Sequence, residues 1–526
     1  MSEQYTIFFI AAIILYCTLM LAGLGAGFII SRFFSNWFDR FLKIRYLTAV
    51  RILLLAILVY VIFFSVFSIV RYNLFIPGMY DMGNMEQTVW NTAQGDVLRM
   101  TTQFPAFSRL HYHVEPVFLL LAPLYSFWPD GRLLLVIQTV IMALGAIPVF
   151  LLARYKFVSS ATALCFGLAY LLYPAMHQAN IVDFHPLALG STFILFGFYL
   201  ALKQKYFWGT SFFLLAVACR EEFAVMVFLL GLYFIIIRRQ WKFGLILSAP
   251  SILWLCLVLY FILPTYSITG SLMQYELYSD LMVADQGLTG SLVKNPGVLI
   301  SALFQAPRIS YVFYLLAPLI MLPIFAPALL FSGAASFFTI ILRPELSLLT
   351  GVMHNHVSLT APAFLSAIFG LAWLAKCLAW PLRKILTVSV SVLVTMVLFV
   401  VLLQFTPASY GGNIKPWGSV QERQTLDRMI SAIPPEASVM ASAELGVKIA
   451  GRKDFFNISD FGKTQVDYIL AADYRSGMCP SWARGSYSCR DRSQEFTDRI
   501  QEIFESGEYW LVEKSDGFYL FQKVDR

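Results

Sequence analysis

RYNLFIPGMYDMGNMEQTVWNTAQGD occupies residues 71–96, directly after an apolar run long enough to cross a bilayer. It gathers Asp81, Glu86, Gln87, Trp90 and Asn91 where a span ends, and the chain then continues into a stretch holding His111, His113 and Glu115. Ionisable groups facing hydrocarbon are costly, so such a set has to lie in a loop at the membrane surface or line a wet cavity. Reading it as an outer loop orders everything that follows.

Composition fixes the class. Of 526 residues, 59% are hydrophobic and only 13% charged, against roughly a quarter charged in an ordinary soluble domain. The chain reads as a polytopic membrane protein. Its net charge of +7 is spread through short loops between apolar runs, where Lys and Arg bias orientation, so no nucleic-acid partner is inferred. The first apolar run, 5–30, lacks a basic leader and a small-residue cleavage site and reads as a retained span.

Arg32, Arg40, Lys43 and Arg45, then Arg154 and Lys156, Lys203 and Lys205, Arg238, Arg239 and Lys242, and Arg383 and Lys384 mark cytoplasmic loops. That rule tests the segment 116–128. If it crossed the membrane, the next span, about 133–153, would deliver Arg154 and Lys156 to the wrong side. Thirteen residues of helix also reach only about 20 Å, short of a core of about 30 Å. The segment therefore reads as interfacial or re-entrant, inside one large outer loop of 71–132. Basic residues likewise flank both ends of 207–237, which predicts two short helices joined near Arg220, Glu221 and Glu222. Those three charges pair with one another or face a wet cavity.

Further apolar runs at about 158–173, 186–202, 243–263, 309–325, 326–342, 357–376 and 385–405 bring the expectation to about twelve spans, with both termini outside. The organisation expected is 1–70, the first two spans; 71–132, the outer loop with its interfacial helix; 133–405, the remaining bundle; and 406–526, a small extracytoplasmic α/β domain. In that last part SVQERQTLDRMISAI has helical spacing, ASVMAS and VDYILAA read as buried strands, and YWLVEKSDGFYLFQ as a hairpin with an Asp-Gly turn. Cys17, Cys165, Cys219, Cys256 and Cys377 lie in apolar runs and read as small hydrophobes. Cys479 and Cys489 stand in a polar loop of the outer domain, either disulfide-bonded or free thiols.

On this topology the chemically capable residues collect on the outer face. The first loop supplies Asp81, Glu86, His111, His113 and Glu115; HQANIVDFHP supplies His177, Asp183 and His185; Arg220, Glu221 and Glu222 point the same way, as do His354 and His356 in MHNH. All six histidines fall on one side. The pairs His111/His113 and His354/His356 have no strong metal-site spacing. The sequence assigns no cofactor and leaves a divalent cation open, for which carboxylate-bound Mg²⁺ or Mn²⁺ suits these residues better than histidine-bound zinc.

YDMGNMEQTVWNTAQGD, HVEPVFLLLAPLY, DFHPLALG, REEFAV, HNHVSLTAPAFL and IPPEASVMAS together resemble a large prokaryotic membrane-protein family known as domain of unknown function 2079. Its opening pattern is matched by Tyr80-Asp81-Met82-Gly83, Gln87 and Trp90-Asn91. More distantly, that family is similar to the GT-C-type glycosyltransferases, which take sugars from polyprenyl phosphates and carry an acidic residue in the first outer loop. The resemblance implies a GT-C-like architecture in the cytoplasmic membrane, with its active face and C-terminal domain extracytoplasmic. It also implies a polyprenyl-phosphate sugar donor and a glycan, lipid or protein acceptor. Asp81 matches the loop acid and Asp183 loosely a second-loop acid; the paired-acid form is absent, since Glu86 lies five residues on.

Under that implication Asp81 is the catalytic base that deprotonates an acceptor hydroxyl. A lipid phosphate leaves as an anion and calls for a cation, for which Arg220 leads, with Arg308 and Arg343 next. Glu86, Gln87, Trp90, His113, Glu115, Asp183, His185, Glu221, Glu222, His354 and His356 complete the expected substrate-binding set, Gln87 and Trp90 as positioning residues. Two other classes stay open: a transporter or flippase using Arg220, Glu221 and Glu222 as a relay, and a non-catalytic envelope scaffold.

Overall fold

The computed structural model of the chain describes residues 2–268, 296–343, 349, 354–378, 380–404, 418–472 and 489–524. Its body is a helical bundle. Among the described residues six helices are long and apolar enough to cross a membrane: Thr6–Phe33, Tyr46–Asn73, Gly131–Phe157, Trp241–Tyr266, His354–Cys377 and Leu382–Leu402. Shorter apolar helices run over Phe118–Phe127, Leu187–Leu202, Tyr206–Cys219, Glu222–Ile236 and Pro327–Ile341.

The expected dozen spans are thus not all found as full-length helices, and the reason is local. The run 309–325 breaks into Ala306–Leu316 and two 3₁₀ turns, Ala317–Leu319 and Leu322–Phe325, with Ile320 and Met321 left-handed between them and Pro318 and Pro323 inside the turns. Proline cannot donate to a helix and clashes with the preceding turn, so the hydrophobic run survives while the helix does not. The expected break at Arg220 is present. Tyr206–Cys219 ends there, Arg220 is extended, and Glu222 opens the next helix with its carboxylate in the first turn, where the helix dipole favours it. The short helix Phe118–Phe127 falls inside the run expected to be interfacial.

Strands β1 Arg99–Gln103 and β2 Ala106–Ser108 pair antiparallel, and the C-terminal part forms a five-stranded sheet in the order β4-β3-β5-β7-β6, with β3 Val439–Ala441, β4 Phe455–Asn457, β5 Tyr468–Ala472, β6 Tyr509–Ser515 and β7 Phe518–Lys523. β3 is parallel to β4 and β5; β5 with β7 and β6 with β7 are antiparallel. The Asp516-Gly517 turn has positive φ at both residues, as a tight two-residue hairpin loop demands. Helix Val420–Ser431 starts with a capping box, Ser419 and Glu422 satisfying each other's backbone N–H. Cys479 lies outside the described residues, and with it the question of its pairing with Cys489.

Alternation along these strands shows what the sheet is for. Val439, Ala441, Leu470, Phe518 and Leu520 face a core continuous with Met79 and Met82 of the loop that follows the span Tyr46–Asn73. Met440, Ile469, Ala471 and Phe521 face the other side, under Ile500 and Ile503. Both faces are covered, and one of them is covered by the loop that carries Asp81.

Candidate active site

The chain leaves the span Tyr46–Asn73 and enters a π turn, Met79–Gly83, closed by the Gly83 N–H donating to the Gly78 carbonyl at 3.1 Å. Met79 and Met82 are buried, which turns Tyr80 and Asp81 outward. Such single π turns recur at functional sites because they re-aim a side chain. Asp81 keeps 51% of its side-chain surface open, and its Oδ1 accepts from His185 Nε2 at 3.4 Å, where His185 is 5% exposed. His185 Nδ1 in turn meets the Asp183 carbonyl at 3.0 Å. Nδ1 donates to that carbonyl, which leaves Nε2 as the ring nitrogen turned to the Asp81 carboxylate.

Burial works against the Asp81 charge, but its open rim weakens that effect. The hydrogen bond and charge of His185, with the charge of Arg109, win and hold Asp81 below its ordinary value. Asp183 goes the other way: burial and the negative charge of Asp81 push it up to about 6, against Arg71, His185 and the Gly78 N–H. The same neighbourhood lowers the pKa of one acid and raises that of the other.

The His185 ring stacks on His354, centroids 3.4 Å apart and planes at 15°. His354 opens the 3₁₀ turn His354–Leu359, which packs against the helix Ala334–Ile341 that carries Ser336. Arg220 donates to His113 Nε2 at 2.5 Å; His113 Nδ1 donates to Glu221 Oε1 at 2.7 Å; Glu221 Oε2 accepts the Val114 N–H at 3.0 Å. Because arginine only donates, His113 is fixed as the neutral Nδ1–H tautomer. Burial first and then Arg220 lower its pKa in agreement, Glu221 opposing. Glu222 accepts from Ser336 Oγ at 2.7 Å and lies 3.9 Å from Arg220 Nε. That Nε has no hydrogen-bond partner among the described residues. His356, fully buried, meets the Tyr311 hydroxyl at 2.9 Å. Glu115 is locked to Arg109 at 2.8 Å, both buried.

Asp81, Asp183, His185 and His354 thus form one set of contacts, and Arg220, His113, Glu221 and Glu222 form a second, whose charges act on His354. Glu86, Gln87 and Trp90, expected among the substrate contacts, are placed elsewhere. Glu86 is buried, accepting from Tyr125 at 3.1 Å and Tyr72 at 3.2 Å, and a side chain at Gly131 would collide with it at 2.3 Å. The Tyr72 hydroxyl also reaches Val447 O of the C-terminal domain. Burial and the charge of Asp130 push Glu86 up to about 8 despite both tyrosines. Gln87 donates to Lys453 O at 3.1 Å and to Thr101 Oγ1 at 2.8 Å, and accepts from the Thr101 N–H. Thr101 in turn bonds both the N–H and the carbonyl of Phe455. β4 is an edge strand, and these side chains satisfy backbone groups that an open edge would leave bare. Asn91 reaches Lys453 O as well, and Trp90 packs beside them against the core.

Arg308, the second phosphate candidate, donates to Ile341 O at 2.5 Å and to Arg343 O at 3.4 Å, so its guanidinium points at backbone carbonyls. His111 contacts Tyr266 O and His177 contacts Leu171 O, both apart from Asp81. No group of three or more His, Cys, Asp or Glu side chains among the described residues is placed to hold a metal ion, so the Mg²⁺ or Mn²⁺ alternative gains no ligand set there. Sequence reasoning missed Arg109, Tyr72, Tyr125 and Ser336. Arg109 alone carried a signal, a lone basic residue six positions before Glu115 within the same polar stretch.

Fold and site together define a multi-pass helical membrane protein with a polar constellation where its bundle meets a mixed α/β domain. The chain belongs to the family described as predicted membrane protein (DUF2079), whose profile matches residues 71–520. Among solved structures it is similar to ArnT from Cupriavidus metallidurans bound to undecaprenyl phosphate, with 12% identity, 88% of this chain and 98% of that chain covered, and a TM-score of 0.43. It is also similar to ArnT from the same organism in the apo state, with 11% identity, the same coverage and a TM-score of 0.35. No curated protein matches.

Proposed function

We propose that the protein is a membrane glycosyltransferase of GT-C-like architecture, moving a sugar from a polyprenyl phosphate to an acceptor hydroxyl at the outer face of the cytoplasmic membrane. The observation that carries this reading is the outward-facing Asp81 carboxylate, held ionised by His185, whose ring stacks on His354, together with a second polar group that includes an arginine with an unused N–H. The acceptor oxygen attacks the anomeric carbon while Asp81 takes its proton through the oxygen that His185 does not hold. The bond from that carbon to the phosphate oxygen breaks, its electron pair leaving on the phosphate, and Arg220 steadies the anion. Negative charge on Asp81 also stabilises the oxocarbenium-like transition state. An apolar cavity of about 350 Å³, lined by Val312, Leu316, Leu330, Phe337, Leu359 and Pro362, lies next to Ser336, the partner of Glu222, and suits the head of an isoprenoid tail.

The test is sugar release from radiolabelled polyprenyl-phosphate sugars by the purified protein in lipid, across several sugars. Turnover that Asp81→Asn abolishes without altering thermal unfolding supports the reading. Label carried intact across a sealed vesicle with no cleavage would replace it with transport.

A further inference from the structure

The helix Gly131–Phe157 begins against Glu86 and runs 27 residues, about 40 Å, to the opposite end of the bundle. Three other helices end there, Leu187–Leu202, Glu222–Ile236 and Thr360–Cys377. Each brings a cation at or just past its last turn: Arg154 and Lys156, Lys203, Arg238, and Lys376. Phe198 ties the helices together through Phe369 at 5.8 Å and Tyr233 at 5.7 Å. Lys156 Nζ sits 3.9 Å from the Phe369 ring centroid and Lys203 Nζ 4.9 Å from that of Tyr155, while the charges of Arg238 and Lys376 both reach Lys156.

Helix C-termini favour cations, and orientation signals favour them on the cytoplasmic side, so their presence alone needs no ligand. Their isolation from acids is what stands out. None of the five forms an ion pair with a carboxylate among the described residues, and Asp39, in the helix Ser35–Leu42 at this end, lies 4.0 Å from Arg383 instead. Moreover the Nε atoms of Arg154 and Arg238 are buried and have no hydrogen-bond partner among those residues. Buried N–H groups on guanidinium ions call for an acceptor, and like charges brought together call for an anion.

We propose that Arg154, Lys156, Lys203, Arg238 and Lys376 form a phosphate-binding site at the end of the bundle opposite Asp81. The rings of Tyr155 and Phe369 hold two of the lysines in place, and the two arginines supply planar N–H donors suited to phosphate oxygens. A basic pocket among helix ends at headgroup depth meets the phosphate of an anionic lipid, or phosphate free in solution, by the same chemistry. The site is independent of the transferase reading and stands or falls without it.

The experiment measures binding by the full chain in neutral detergent, by native mass spectrometry. Its arms are phosphatidylglycerol, phosphatidylcholine and inorganic phosphate. Lys156→Gln with Arg238→Gln is compared with Arg40→Gln with Lys384→Gln, an exposed pair of equal charge on the helices Ser35–Leu42 and Leu382–Gln404 at the same end. The cluster pair is expected to weaken phosphatidylglycerol binding about 10-fold or more and the control pair about 2-fold or less, with thermal unfolding in phosphatidylcholine alike in both. The same pattern with inorganic phosphate assigns the site to free phosphate; the pattern with phosphatidylglycerol alone assigns it to a lipid. Equal weakening by the two pairs, or no preference of the wild type for either phosphate ligand over phosphatidylcholine, would overturn the proposal.

Discussion

Asp81 and Glu86 stand five residues apart in one polar stretch, and their surroundings differ in every respect that matters for chemistry. Asp81 is half open, faces an imidazole, and is held ionised. Glu86 is sealed between Tyr72, Tyr125 and Gly131, and is held neutral up to about pH 8. The π turn produces the difference: it turns Asp81 away from the methionines that anchor the loop, while the following helix directs Glu86, Gln87 and Asn91 towards the C-terminal domain. One stretch therefore does two jobs, presenting a carboxylate and fastening the domain beside it. A charged residue in a membrane protein marks function only once its partners are known.

That contrast can be attacked from several sides. The largest effect is expected from Glu115→Ala, which leaves Arg109 buried and unpaired; losing one partner of such a pair costs about 3–5 kcal/mol, read as a fall in unfolding midpoint. Arg220→Gln should lower turnover per folded molecule about 100-fold, the pattern of a lost charge contact to a departing anion, and also lower the unfolding midpoint, because Glu222 and His113 lose their partner. Gln87→Ala removes the hydrogen bonds to Thr101, Arg452 and Lys453 on the path to β4 and leaves buried polar groups behind; a loss of about 1–3 kcal/mol and faster amide exchange around Phe455 are expected, with turnover per folded molecule retained.

Two pH effects are smaller and opposite in origin. Glu86 has its pKa raised from 4.5 to about 8 in the folded protein. The unfolded chain then releases this proton first as pH rises, so the fold loses stability from about pH 4.5 upward and levels off above about 8. Glu86→Gln should flatten that slope in thermal unfolding, and an unchanged slope would mean that the sealed pocket is misdescribed. Asp81, lowered chiefly through His185, should keep the acid side of the rate profile below the usual carboxylate range; His185→Ala should shift that limb upward.

Local features of the molecule were legible in the sequence, and distant pairings were not. Continuous hydropathy marked the spans Thr6–Phe33 and Leu382–Leu402, flanking cations marked the break at Arg220, and Asp516-Gly517 marked the hairpin turn. Proline-rich runs misled because hydrophobicity persists across residues that stop a helix, as at Pro318 and Pro323. Asp81 and His185 were both singled out, but their pairing spans 104 positions and no local pattern encodes it. The use of Gln87 to cap an edge strand depends on Lys453, 366 residues away, so its amide could only be read as polar and near Asp81. Glu86 shows the same limit most sharply, since an acid beside an acid looks like a pair until the fold turns one of them inward.

The most direct measurement sets the two acids against each other: the rate of sugar release from a polyprenyl-phosphate sugar in lipid, for Asp81→Asn and Glu86→Gln side by side, normalised to folded protein. Asp81→Asn is expected to lose about 100-fold or more and Glu86→Gln less than about 5-fold. Equal losses, or a larger loss at Glu86, would contradict the assignment of the chemistry to Asp81.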